Sequence, residues 1–390
     1  MSIVTDPKIG LIDGPFQSKL EALSRSRNWY NWAGYAAPST LDTVEFEYFA
    51  LRNQASLFDI SPLHKYRIQG TDAILMLNRL LTRDVRKIKV GRVSYAIWCD
   101  EEGMVIDDGT LFHLRENDWR LCCQEAMLDW LLEAAWGFQV EITDESAALA
   151  ALSLQGPTSF SILSDAGFNV DDIRPFDICE GPTGILISRT GFTGDLGYEI
   201  WCASENAHDL WDLIWEYGSS WGLRAIGYDA VDIARVEAGF ITAGVDFMPV
   251  HNTEYMHRGQ TPFELNLAKM VDFNKDHFNG RRALMKVKDK PRSRLMRFDV
   301  GGFKPAKEAL IYNKKKREVG HISSGIWSPT VKKSIALAHV KVPYCESTSL
   351  WAEIYVLKEG KWTRRMEGLS EIRGAFYAPT RAKLTPPLAR

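Results

Sequence analysis

No stretch of the sequence approaches the roughly eighteen consecutive apolar residues that a membrane-spanning helix needs, so no bilayer partner is expected. An excess of basic charge is also missing. Against 50 Asp and Glu stand 47 Lys and Arg, a net charge of −3, which provides no field for nucleic acid. The six cysteines (Cys99, Cys122, Cys123, Cys179, Cys202 and Cys345) form no C-x-x-C pair and sit in apolar runs such as WRLCCQ. That pattern fits buried free thiols in a reducing cytoplasm better than a disulfide framework or zinc site. The start, MSIVTDPKIGLIDGPFQSKL, lacks the basic and long apolar segments of a secretory signal, which agrees with a cytoplasmic location. Among the eight histidines there is no H-E-x-x-H; His251 and His257 flank Glu254 too loosely to predict a metal. No G-K-S/T closes a glycine-rich loop, which excludes a P-loop.

What is present suits a chain of 390 residues divided into two or three domains, 45% hydrophobic and 25% charged. SKLEALSRSRNWYNWAGYAAPSTL predicts a short helix followed by an aromatic-rich loop, and TVEFEYFALRNQASLFDI a helix passing into a strand. TDAILMLNRLL predicts a helix with Thr71 as its N-cap. VSYAIWCD and VIDDGTLFHL predict a hairpin around EEGM. SENAHDLWDLIWEYGSSWG, with Leu210, Ile214, Tyr217 and Trp221 at helical spacing, and YDAVDIARVEAGF, ending at Gly239, predict two amphipathic helices. From about residue 291 the pattern changes to short alternating strands (SRLMRFDV, REVGHISSG, SIALAHV, LWAEIYVL), which predicts a separate barrel or sandwich. The run Lys314–Arg317 reads as a solvated turn between two strands, and APTRAKLTPPLAR as an irregular or frayed tail.

The segment RTGFTGDLGYEIW raises the sharpest question. Gly191, Gly194 and Gly197 are spaced by three, but YEIW continues as strand rather than helix, so this is neither a P-loop nor a dinucleotide fingerprint. It predicts a strand, a glycine-rich turn with φ > 0, and a strand. Glu199, on the face opposite Tyr198 and Ile200, either meets solvent or lines an internal polar site. Asp107 and Asp108 form a second carboxylate cluster; adjacent strand residues face opposite sides, so at most one points into a given cavity.

Taken in order, several segments resemble the folate-binding aminomethyltransferase family, typified by the glycine cleavage T-protein. They are ALRNQASLFDISPLHKYRIQGTDA, RLLTRDV, YAIWCDEEGMVIDDG, SLQGP, SRTGFTGDLGYEI, RVEAG, PFELNLAKMVDFNKDHFNGRRAL and GHISSGIWSPTVKKSIALAHV. The resemblance implies an α+β fold of three domains around a central tetrahydrofolate site: a region 1–290 of two interleaved α+β domains and a β-barrel over 291–390. It implies that Glu199 binds the pterin amino and ring N–H edge, that Asp107 or Asp108 works near the reacting folate nitrogens, and that Tyr95 contacts folate. The spacing from Tyr95 favours Asp108.

The sequence departs from the T-protein pattern at Ser61-Pro62-Leu63, with His64 displaced, and at Ala230-Val231-Asp232, where a folate-contacting Arg is missing. Arg235 or Arg224 is then the candidate to replace it. These departures lead to the expectation of a tetrahydrofolate-dependent demethylase, moving a methyl group from a small O-, S- or N-methylated substrate to folate N5. Trp29, Tyr30, Trp32 and Tyr35 then either hold a methylated cation by cation–π attraction or pack the N-terminal segment. The alternatives are aminomethyl transfer with a lipoyl carrier protein, and folate binding without catalysis.

Overall fold

The computed structural model describes residue 8, residues 10–253 and residues 259–387. Glu254 and His257 lie outside the described residues, and among those described no cluster of His, Cys, Asp and Glu is arranged to hold a metal ion. Among the described residues no helix is long and apolar enough to cross a membrane.

After helix α1 (Gln17–Leu23), the segment expected to be a loop is a hairpin, β1 (Asn28–Trp32) and β2 (Tyr35–Thr40). Trp32 pairs with Tyr35 across a two-residue turn in which Ala33 and Gly34 both take positive φ, the geometry that matches strand twist. Aromatic residues at alternating positions favour strand, which the loop reading overlooked. Helix α2 (Val44–Asn53), capped by Thr43, leads into the fully buried strand β3 (Ser56–Asp59).

A complete sheet is then inserted before β3 finds its main partner. Strand β4 (His64–Gln69), helix α3 (Ala73–Leu80), strands β5 (Arg92–Cys99), β6 (Val105–Arg115) and β7 (Asp118–Cys123), helix α4 (Leu128–Ala134) and strand β8 (Glu141–Asp144) build an antiparallel sheet of order β5-β6-β7-β4-β8. The N-cap of α3 is Asp72 rather than Thr71; its carboxylate accepts the Gln139 N–H at 2.8 Å instead of capping the helix. The chain returns through β9 (Leu149–Gln155), α5 (Ser159–Asp165), β10 (Ile178–Glu180), β11 (Leu186–Ser188), β12 (Gly197–Ala203), α6 (Ala207–Ser219), β13 (Arg224–Ala225) and α7 (Tyr228–Ala238). The second sheet is β10-β11-β12-β9-β3-β13. The two sheets are thus interleaved in sequence.

Leu210 and Ile214 of α6 are buried as expected, whereas Tyr217 is largely exposed; Trp221 lies beyond the helix and donates to Asp165 at 2.7 Å. Helix α7 ends at Gly239 in the left-handed conformation, the usual glycine stop.

After α8 (Arg281–Val287), six strands close a barrel: β14 (Ser293–Val300), β15 (Leu310–Asn313), β16 (Glu318–Ser328), β17 (Lys333–Lys341), β18 (Leu350–Lys358) and β19 (Lys361–Glu371). Lys314–Arg317 forms the turn between β15 and β16. β19, KWTRRMEGLSE, escaped the sequence reading because it is charge-rich with no apolar run. The tail is irregular but not frayed. Arg381 pairs with buried Asp195 at 2.6 Å, and Arg189 holds the Leu384 carbonyl at 2.6 Å.

Candidate functional site

The two sheets of the first 290 residues face each other, and register determines which side chains meet. On the five-stranded sheet, Tyr95, Thr110, Cys122 and Lys65 are successive cross-strand partners and share one face. Asp108, paired with Ile97, lies two residues along β6 on that face, and Phe112 two residues the other way. On the six-stranded sheet, Ser188, Glu199, Ser153 and Phe58 form the corresponding row, with Leu186, Trp201 and Ala151 beside it. Phe112 and Trp201 meet across the gap at 5.5 Å, inside an apolar cluster that α2 and α7 complete. Next to that cluster the facing rows become polar. Asp108, Gly109 and Thr110 keep accessible surface in the middle of a strand whose preceding residues are buried, as does Glu199.

Glu199 is supported by short hydroxyl groups. The Thr190 hydroxyl donates to Glu199 Oε2 at 2.6 Å and lies 2.7 Å from the Ser188 hydroxyl. Burial pushes the Glu199 carboxyl up, while Thr190 and Ser188 pull it back. A carboxylate accepts about four hydrogen bonds, so Glu199 keeps capacity for a donor–donor edge.

The glycines serve this strand mainly by making room. Side chains on Gly191 or Gly197 would collide with Gln155, at 2.1 and 2.3 Å. Gln155 in turn ties the turn together through the Thr190 and Tyr198 carbonyls and the Thr193 hydroxyl. Of the three, only Gly194 takes positive φ, 70°. The expected hairpin is present, with a different role for two of its glycines.

Asp107 and Asp108 separate as alternation requires. Asp107 is fully buried on the far face, where Oδ2 accepts the Glu125 N–H at 3.1 Å and Oδ1 has no partner among the described residues. Asp108 faces the gap, and the Tyr95 hydroxyl donates to it at 2.7 Å. Burial raises the Asp108 carboxyl to about 6, against the lowering effect of Tyr95. Such a group changes protonation close to neutral pH, which a proton-transfer role requires.

The remaining sequence candidates divide. Tyr30, Trp32 and Tyr35 share one hairpin face; Tyr30 stacks towards Trp32 and packs on Tyr228 of α7 at 5.6 Å, and Trp32 lies on Phe58 at 5.8 Å. Trp29 points the other way into the core around α1 and α6, so the four aromatics do not form one pocket. Arg235 is not free for a folate tail. It is 1% exposed and fully engaged by Asp232, Asp246, the Phe240 carbonyl and the Ser324 hydroxyl. Arg224 lies on the edge strand β13, over Phe46. Val231, the position without the family Arg, is buried in the apolar cluster between the sheets.

Sequence reading missed several neighbours. Lys65 is wholly buried, bonded to the Ser61 and Leu63 carbonyls at 2.6 and 2.8 Å, and burial lowers it to about 8. Tyr228 and Asp232, one turn apart on α7, stay half-exposed beside Arg235. Asp246 collects Ser323 and Ser324 of the barrel at 2.6 and 2.7 Å. The helical spacing of Tyr228, Asp232 and Arg235 was the available signal. Nothing local marked Asp246, whose barrel partners lie 77 and 78 residues away.

The residues fit a reduced folate: one recessed carboxylate with free acceptor capacity, opposite a second carboxyl poised to exchange a proton. Comparison with known proteins agrees. Residues 21–275 match the GCVT N-terminal domain, and residues 294–363 the glycine cleavage T-protein C-terminal barrel domain. The chain is 32% identical to an aminomethyltransferase of Caldanaerobacter subterraneus subsp. tengcongensis over 81% of its own length and 85% of the relative's. It is also 32% identical to one from Clostridium botulinum, over 80% and 85%. Its fold matches the aminomethyltransferase T of the Bartonella henselae glycine cleavage system with a TM-score of 0.83, at 24% identity, over 94% of this chain and 98% of that one.

These relatives overturn the demethylase expectation and with it the methylated substrate. The departures that suggested it are explained locally: Val231 packs in the core, and Ser61 braces the β3 end through Asp59 and Ala151. With both domains matched and the relatives spanning four-fifths of the sequence, the chain belongs to the glycine cleavage T-protein family of aminomethyltransferases and is a tetrahydrofolate-dependent one-carbon transferase.

Proposed function

We propose that the protein transfers the carbon of an aminomethyl group, carried on the reduced lipoyl arm of a carrier protein, to tetrahydrofolate: the C–S and C–N bonds break, the lipoyl thiol and ammonia are released, and 5,10-methylenetetrahydrofolate is left. The observation that carries this reading is the pair of carboxyl groups on facing sheets, Glu199 on β12 and Asp108 on β6, within a chain whose relatives are aminomethyltransferases. Bound tetrahydrofolate supplies the nitrogens that accept the carbon. Glu199, held by Thr190, accepts the pterin N–H edge and fixes the ring. Asp108, oriented by Tyr95, exchanges a proton beside the reacting centre as the amine leaves. Water exclusion by the Phe112–Trp201 cluster strengthens both contacts.

The test supplies tetrahydrofolate with either an aminomethylated lipoyl carrier or a panel of methylated compounds. Ammonia and methylenetetrahydrofolate are expected from the carrier alone. Methyltetrahydrofolate from any methylated compound would refute the proposal, and so would folate binding without turnover on the loaded carrier.

A further inference from the structure

The interface between the two sheets continues past the rows that carry Glu199 and Asp108. Two residues along from these rows on β12 and β6, Trp201 and Phe112 close the gap with their rings edge to face. On the other side of Trp201 lies a cavity of about 380 Å³. The five-stranded sheet contributes Arg67, Arg115 and Arg120 to its lining, and the six-stranded sheet contributes Ile178, Leu186 and Trp201.

Two of these residues carry donors that no acceptor meets among the described residues. Arg120 is 6% exposed, and its one hydrogen bond runs from Nε to Glu145 at 2.8 Å; among the described residues neither Nη has an acceptor within reach. Trp201 is 2% exposed, and its indole N–H is buried without an acceptor among the described residues. Buried donors are almost always matched, by protein, water or ligand. The other two arginines are occupied. Arg67 is held by both oxygens of Asp118, and Arg115 pairs at 3.1 Å with Glu180, the Arg115 and Glu180 side chains each being 71% exposed. The cavity therefore presents the Arg120 guanidinium fork beside an apolar stretch formed by Ile178, Leu186 and Trp201, with Arg115 and Glu180 also in its lining.

We propose that this cavity is a second ligand site, distinct from the folate site, that takes a small carboxylate with a flat apolar body. The two Nη groups of Arg120 match a carboxylate through parallel hydrogen bonds, a geometry that a planar fork favours. The apolar body fills the space along Ile178, Leu186 and Trp201, which a compact inorganic anion would leave open. A ligand placed there touches both sheets.

The probe is 4-fluorobenzoate, titrated against the full chain and followed by fluorine NMR line broadening. Saturable binding is expected, unchanged by saturating tetrahydrofolate and by Glu199→Ala. Arg120→Gln should weaken it by roughly tenfold or more, through loss of the charged partner. Leu114→Trp fills the cavity from its partly exposed rim without altering Arg120, and should do the same in a chain that melts as the wild type does. Displacement of the probe by tetrahydrofolate would place it in the folate site and overturn the proposal. So would the absence of saturable binding up to about 10 mM, a range in which even weak small-ligand complexes form; the cavity would then hold water only.

Discussion

At the scale of single residues, binding and chemistry fall to different carboxyl groups. Glu199→Ala should weaken tetrahydrofolate binding by about 2–3 kcal/mol, the usual loss for a buried charged hydrogen-bond partner; unchanged affinity in a calorimetric titration would remove Glu199 from the pterin edge. Asp108 carries a further signature. Its folded-state carboxyl is raised to about 6 from an ordinary 3.8, so the folded chain holds the proton more tightly than the unfolded one. The associated stability is complete below about pH 4 and is lost as pH rises through about 6. Ionised Asp108 therefore costs the fold stability at neutral pH. Asp108→Asn should raise stability by about 1–2 kcal/mol at pH 7.5, with the gain vanishing near pH 4, as read from melting curves across that range. A residue that destabilises its fold where it is charged is retained for another use, which is the pattern of a working site.

At the scale of elements, legibility depended on whether the signal was local. Strand alternation alone placed Glu199 opposite Tyr198 and Ile200, and it also split Asp107 from Asp108. The Gly239 helix stop was visible as well, because a glycine after an apolar periodic run has a single backbone meaning. The first hairpin was missed because a loop was inferred from aromatic richness, although the Ala33–Gly34 turn was there to be seen. Arg235 was misjudged because its partners come from the loop at Asp246 and from β16 of the barrel. The glycine turn shows the same limit. Its spacing announced a hairpin but not that Gln155 fills the space beside Gly191 and Gly197. Gly197→Ala should accordingly destabilise the chain by about 1–3 kcal/mol through overpacking, measured by denaturant unfolding; a neutral result would mean that Gln155 can move aside.

At the scale of the whole molecule, the glycine turn, helices α2 and α7, the tail and the barrel are fastened by buried charge. Asp195 of the glycine turn receives Arg52 at 3.2 Å and Arg381 of the tail at 2.6 Å. Arg52 also holds Glu237 of α7, which bonds Ser328 of the barrel. Arg381→Ala should cost about 3 kcal/mol or more, because it removes one partner of a fully buried carboxylate; a melting temperature equal to wild type would show the tail to be dispensable. Between the facing sheets, Asp108 and not Asp107 is the residue proposed to perform the proton work. The most direct test is single-turnover transfer of a carbon-13-labelled aminomethyl group from the lipoyl carrier to saturating tetrahydrofolate. The account predicts that Asp108→Asn slows the appearance of the labelled methylene carbon by roughly a hundredfold or more while folate affinity is kept, whereas Asp107→Asn transfers at close to the wild-type rate. An Asp108→Asn enzyme as fast as wild type, or an Asp107→Asn enzyme that is the slow one, would contradict it.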